Sequence, residues 1–108
     1  MVTKENKIQF EKWYPETYKI DENYNLSLED FYRLNPQLQI GVYLAYYDWL
    51  GIGIDVMTTR EENSVYFEYC INEEGDRDLS NTRNEAYKEA FKKADEIVNN
   101  TLTNKGGL

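Results

Sequence analysis

Apolar residues along the chain change their period once, and the rest of the sequence is arranged around that change. From Pro36 onward Leu38, Val42, Ala45, Tyr46 and Trp49 recur at helical spacing, and Ile40, Tyr43, Leu44, Tyr47 and Leu50 fill most of the remaining positions. The pattern predicts a central buried helix over about 36–50, apolar nearly all round and covered on several sides. Pro36 suits the first helical turn, where its missing N–H is not needed. Gly51 suits the position just past the helix end, where a left-handed residue is wanted. The period then becomes two. Ile52, Ile54, Val56 and Thr58 fall on one face and Gly53, Asp55, Met57 and Thr59 on the other, predicting a strand over 52–59. A five-residue polar connection, Arg60–Ser64, leads to a second strand over 65–72, where Val65, Phe67, Tyr69 and Ile71 alternate with Tyr66, Glu68 and Cys70. The two form an antiparallel hairpin. A third strand over 77–80, anchored by Leu79 alone, is an optional addition.

The flanks are helical. Thr3 is placed to cap a helix over 3–14, with Phe10, Trp13 and Tyr14 on one stripe and Pro15 ending it. A polar loop over 15–26 follows. Ser27 then opens a short helix over 28–34. Thr82-Arg83-Asn84-Glu85 is a capping box that starts an amphipathic helix over about 83–100. Ala86, Tyr87, Ala90, Phe91, Ala94, Ile97 and Val98 form its apolar stripe, and Lys88, Glu89, Lys92, Lys93, Asp95 and Glu96 read as its solvent side. Residues 103–108 read as a disordered tail. The whole is a single α+β domain over 1–108, with a sheet of two or three antiparallel strands.

Charge and chemistry narrow the function. The formal net charge is −8, with no histidine and one cysteine. Residues 52–79 hold eight acidic and two basic residues, so the hairpin carries most of the excess. This argues against nucleic acid as a partner, because such proteins need a cationic footprint. The single Cys70 excludes an internal disulfide and fits a reducing, cytoplasmic setting. No apolar leader or membrane-spanning run is visible.

Without histidine the commonest general base is missing, and no Gly-rich phosphate loop is present. The expectation is a protein that is not an enzyme and carries no cofactor. Four weaker features have ordinary structural explanations. Cys70 has no histidine to activate it. Asp48 and Asp55 are separated by a helix–strand turn. Glu73, Glu74, Asp76 and Asp78 form a carboxylate-rich turn that suits a divalent cation, but without EF-hand spacing, and charged turns are ordinarily solvated. Arg83, Lys88, Lys92 and Lys93 are interleaved with acids that suit i,i+4 pairing. The fuller feature is the acidic surface of Asp55, Glu61, Glu62, Glu68, Glu73, Glu74, Asp76 and Asp78. It suits a basic protein partner, or imitates nucleic-acid phosphates toward one. It equally serves solubility and protects a sheet edge. Exposed tyrosines or a sheet edge also allow a homodimer.

Two phrases carry a resemblance. LQIGVYLAYYDWLGIGIDV, and the capped TRNEAYKEAFKKADEIVNN after a hairpin, resemble small proteins encoded by phages, prophages and related mobile elements of bacteria. The resemblance covers about a third of the chain and implies a small accessory protein of the host-cell cytoplasm that interacts with a host protein. It assigns no residue a role. The order helix, hairpin, strand, helix also resembles the double-stranded-RNA-binding domain in topology, which gives an alternative: a nucleic-acid binder using the last helix. That family's basic cluster is replaced here by Asn81-Thr82-Arg83-Asn84-Glu85. A small metal-binding protein is the other alternative.

Overall fold

The computed structural model describes residues 1–17, 26–75 and 79–106, the side chains of 15–17 and 103–106 excepted. Its elements are α1 (Lys4–Thr17), α2 (Leu28–Arg33), α3 (Pro36–Trp49), β1 (Ile54–Glu61), β2 (Ser64–Ile71), β3 (Glu74–Gly75) and α4 (Arg83–Gly106). The strands form one antiparallel sheet in the order β1-β2-β3. The fold is α+β. α4 lies between the sheet and the other helices, touching β1 and β2 on one side and α1 and α3 on the other.

Local chemistry explains most boundaries. Asn35 caps α3 by accepting from the Gln37 amide, with Pro36 in the first turn. At the far end Gly51 adopts φ +79°, a conformation that a Cβ disfavours. Ile52 N–H then bonds Tyr47 C=O at 2.8 Å, and Gly51 N–H bonds Asp48 C=O at 3.0 Å. This pair of bonds is a Schellman ending. It delays the strand to Ile54, two residues later than the alternation predicts. Thr82 caps α4 through the Glu85 amide, and Ser27 caps α2 through that of Asp30.

The hairpin connection is shorter than expected. Glu61 pairs with Ser64, so only Glu62 and Asn63 form the turn. The third strand is displaced as well. It is Glu74–Gly75, folded back on β2 by Asn72 and Glu73, whose φ angles are +53° and +71°. Two successive positive φ values are the signature of a type I′ turn. Of the expected strand at 77–80, Ser80 makes one bridge to Phe67, and 77–78 lie outside the described residues.

Three helical expectations also change. α1 continues past Pro15 to Thr17, because a proline in the last turn removes a single hydrogen bond. α4 runs to Gly106, so the tail is helical from 103 through Gly106. Half-buried Leu102 gives α4 an apolar anchor one turn past the predicted end. The face of α3 away from the core is open, with Leu38 65 % and Trp49 57 % exposed, so this helix is not enclosed on all sides. Its other face joins an aromatic core in which Phe10, Phe31, Tyr46 and Tyr47 are fully buried.

Candidate functional site

Three places concentrate polar chemistry, and the first is structural. Asp95 is 5 % exposed rather than solvent-facing. Its carboxylate accepts from Thr3 N at 2.8 Å, Thr3 Oγ1 at 2.5 Å, Asn6 Nδ2 at 2.8 Å and Asn99 Nδ2 at 3.3 Å. Asn99 Oδ1 accepts from the Asn6 amide at 2.9 Å. The first turn of α1 is therefore capped from α4, and Thr3 spends its hydroxyl on Asp95 instead of capping its own helix. Fully buried Asn6 links this cluster to α3, accepting from Tyr46 Oη at 2.6 Å and donating to Tyr47 Oη at 3.1 Å. A carboxylate this deep is held by its four donors and by the positive end of α1. Burial, with the nearby Asp95 charge, pushes the Tyr46 and Tyr47 phenols above their usual range. Both carboxylate oxygens of Asp95 accept hydrogen bonds from α4 or from the start of the chain, so the cluster joins helices.

The second place is the sheet. Residues facing α4 are Ile54, Val56, Phe67, Tyr69 and Ile71, four of which join the core. Arg83 reinforces this side, with its guanidinium 5.1 Å from the Phe67 ring centre and 3.4 Å from Val56 O. The register sends Asp55, Met57, Thr59 and Glu61 of β1, and Tyr66, Glu68 and Cys70 of β2, to the opposite face. Asp55 lies opposite Cys70, and Met57 opposite Glu68. Burial pushes the Cys70 thiol up, and the Glu68 and Asp55 carboxylates push it further, which keeps it protonated and weakly nucleophilic.

The eight acidic residues thus divide. Asp55, Glu61 and Glu68 share the outer face; Glu62 is in the turn beside Glu61. Glu73 sits in the other turn and Glu74 follows it in β3, and Asp76 and Asp78 lie outside the described residues. Seven steps along β2 at about 3.3 Å each put the two turns roughly 23 Å apart. The basic residues of α4 also disperse. Arg83 lies against the sheet and Lys93 pairs with Glu96 at 3.9 Å. Among the described residues no group of three or more acidic, cysteine or histidine side chains is placed to hold a metal ion, and no helix is long and apolar enough to cross a membrane.

The third place was not visible in the sequence. A groove of about 700 Å³ opens between the start of α1, the α2–α3 junction and the first turns of α4. Tyr43, Tyr87 and Phe91 form an aromatic wall, with Phe91 5.5 Å from Tyr43 and 6.0 Å from Tyr87 between ring centres. Lys7 and Lys88 also line it. Lys7 lies 5.8 Å from the centre of the Tyr32 ring. Tyr43 is 5 % exposed, and burial followed by the Asp95 charge pushes its phenol up to about 12. Burial lowers the Met1 ammonium at the groove's edge to about 5, against the pull of Asp95, so it adds no positive charge at neutral pH. Residues from four helices, spread between Met1 and Phe91, build this groove, and no local spacing announces it.

No family model, curated protein or solved structure matches this chain.

Proposed function

We propose that this protein is a non-enzymatic binding module that docks a basic protein on the outer face of its sheet. The observation that carries this reading is the convergence of Asp55, Glu61 and Glu68 on one face with Met57, which is 48 % exposed. Carboxylates around an accessible apolar side chain suit a cationic segment. The charges steer the encounter and the thioether supplies contact area. β1 is an outer strand of the sheet among the described residues, so an extended basic segment also finds backbone groups to pair with. An accessory role in a phage or mobile element, as the resemblance implies, agrees with this. Affinity capture from a bacterial lysate tests it, with wild type beside an Asp55→Lys, Glu61→Lys, Glu68→Lys variant. The expected result is a basic protein retained by the wild type, eluted by salt and lost with the variant. Equal recovery by both proteins would count against the reading.

A further inference from the structure

The ladder decides which backbone groups of β1 face outward. Glu61 and Ser64 close the two-residue turn, so they exchange backbone hydrogen bonds, and every second pair down the ladder does the same. The far end agrees, because Asn72 N–H bonds Gly53 C=O at 2.8 Å. So does the other side of β2, where Phe67 exchanges bonds of 2.8 and 2.9 Å with Ser80. The odd-numbered residues from Asp55 to Glu61 therefore bond inward to β2. Val56, Thr58 and Arg60 turn their N–H and C=O groups to the outer edge, where no strand pairs with them among the described residues. Arg83 covers part of this edge. Its guanidinium donates to Val56 C=O and to Thr58 Oγ1, each at 3.4 Å.

The edge carries opposite charges on its two faces. Asp55 and Glu61 flank it on the outer face, whereas Arg60 and Arg83 flank it on the face toward α4. A strand added here sends alternate side chains to those two faces. Complementarity asks for cations on the outer face and for an acid on the other. A second copy of β1 in a two-fold antiparallel pair fails this, because it brings its own Asp55 and Glu61 to the outer face. We propose, resting on the acidic-face reading above, that the partner engages β1 as an added antiparallel strand with lysine or arginine at every second position and an acid between them. Its backbone pairs with Val56, Thr58 and Arg60, and one of its amides takes Val56 C=O in place of Arg83. Its cations meet Asp55 and Glu61, and its acid meets Arg60 and Arg83. The partner is recognised by the alternation of its charge as well as by the sum.

The test uses the full chain with three short peptides, followed by amide chemical shifts and by calorimetry. KVKEKTK alternates, KKKKVET holds the same residues in blocks, and KVKKKTK replaces the acid by lysine. Against a protein of net charge −8, selection by total charge alone favours the third. The added strand predicts the reverse. KVKEKTK binds saturably, about tenfold more tightly than the block peptide and about fivefold more tightly than the third. Arg60→Glu, at the exposed turn end of β1, removes the last preference. N-methylation of the Glu and Thr amides of KVKEKTK, which face β1, abolishes binding. N-methylation of two of its lysine amides, which face away, leaves affinity within about twofold. Equal binding of the alternating and block peptides, both lost with the Asp55→Lys, Glu61→Lys, Glu68→Lys variant, would overturn the added strand and leave the acidic dock standing. Equal effects of the two methylation patterns would overturn it as well. No saturable binding of any peptide up to about 5 mM would overturn the strand and count against the dock itself.

Discussion

The junction of α1, α3 and α4 and the free half of the hairpin are built on opposite plans. At the junction Asn6, Asp95 and Asn99 are buried, and two tyrosines pass completely out of solvent. Toward the hairpin turn burial fades. Ile54 and Tyr69 are buried at one end, whereas every residue from Arg60 to Val65 is exposed. The junction holds the fold by satisfying polar groups that would be costly alone. The hairpin turn adds little to that and presents charge. One chain thus separates the residues that hold it together from those available to a partner.

The sharpest way to break this contrast is Asp95→Ala. It strands the Thr3 amide and the Asn6 and Asn99 side-chain amides in a dry site, and should cost about 3–5 kcal/mol in urea unfolding. That is a large share of the stability of a domain this size. Asp95→Asn keeps the shape and one acceptor oxygen and should cost less than half as much. Equal losses in the two variants would mean that the charge matters and the hydrogen bonds do not.

The alkaline limb comes next. Burial holds the proton on Tyr43 up to about 12, and raises Tyr46 and Tyr47 as well, against an ordinary value of 10.0. Above pH 10 the unfolded chain has released protons that the folded chain keeps. Stability is therefore whole below that pH and falls as pH rises toward 12. The late tyrosinate absorbance should appear together with the loss of helical circular dichroism. Ionisation of all ten tyrosines in one early step, with the helices intact, would contradict the buried phenols.

Smaller effects sharpen the other half. Gly51→Ala forces a side chain into φ +79° at the Schellman ending and should cost about 1–2 kcal/mol. Glu73→Gly relieves the second position of the type I′ turn and should gain up to about 1 kcal/mol. Glu61→Lys with Glu62→Lys should move stability by no more than about 0.5 kcal/mol, because both side chains are exposed in the hairpin turn region. A loss several times larger would make that turn part of the structural half.

What could be read from the sequence follows the range of the interactions. The caps at Thr82 and Ser27, the stop at Gly51 and the strand alternation are local, and each appears where its residues predict. Asp95 looked like a solvent position because its neighbours Lys93 and Glu96 are. Yet Phe91, Asp95, Asn99 and Leu102 recur at stripe spacing, as do Asn6, Phe10 and Trp13. A polar residue in phase with an apolar stripe was the signal available. Its partner, ninety residues away, was not. The acidic residues were found as a group, but only the pairing register shows that three of them share a face. The displaced third strand turned on positive φ at Asn72 and Glu73, and a glutamate gives little warning of that.

The most direct measurement is native-state hydrogen exchange at the Asn6 amide. First-turn amides of a helix ordinarily lack an acceptor and exchange freely. Here that amide donates to Asn99 Oδ1 inside the junction. The account predicts that it exchanges only with global unfolding, as slowly as the amides of α3, while those of Glu62 and Asn63 exchange through local opening. An Asn6 amide that exchanges as fast as the hairpin turn would contradict the claim that this buried junction holds the fold.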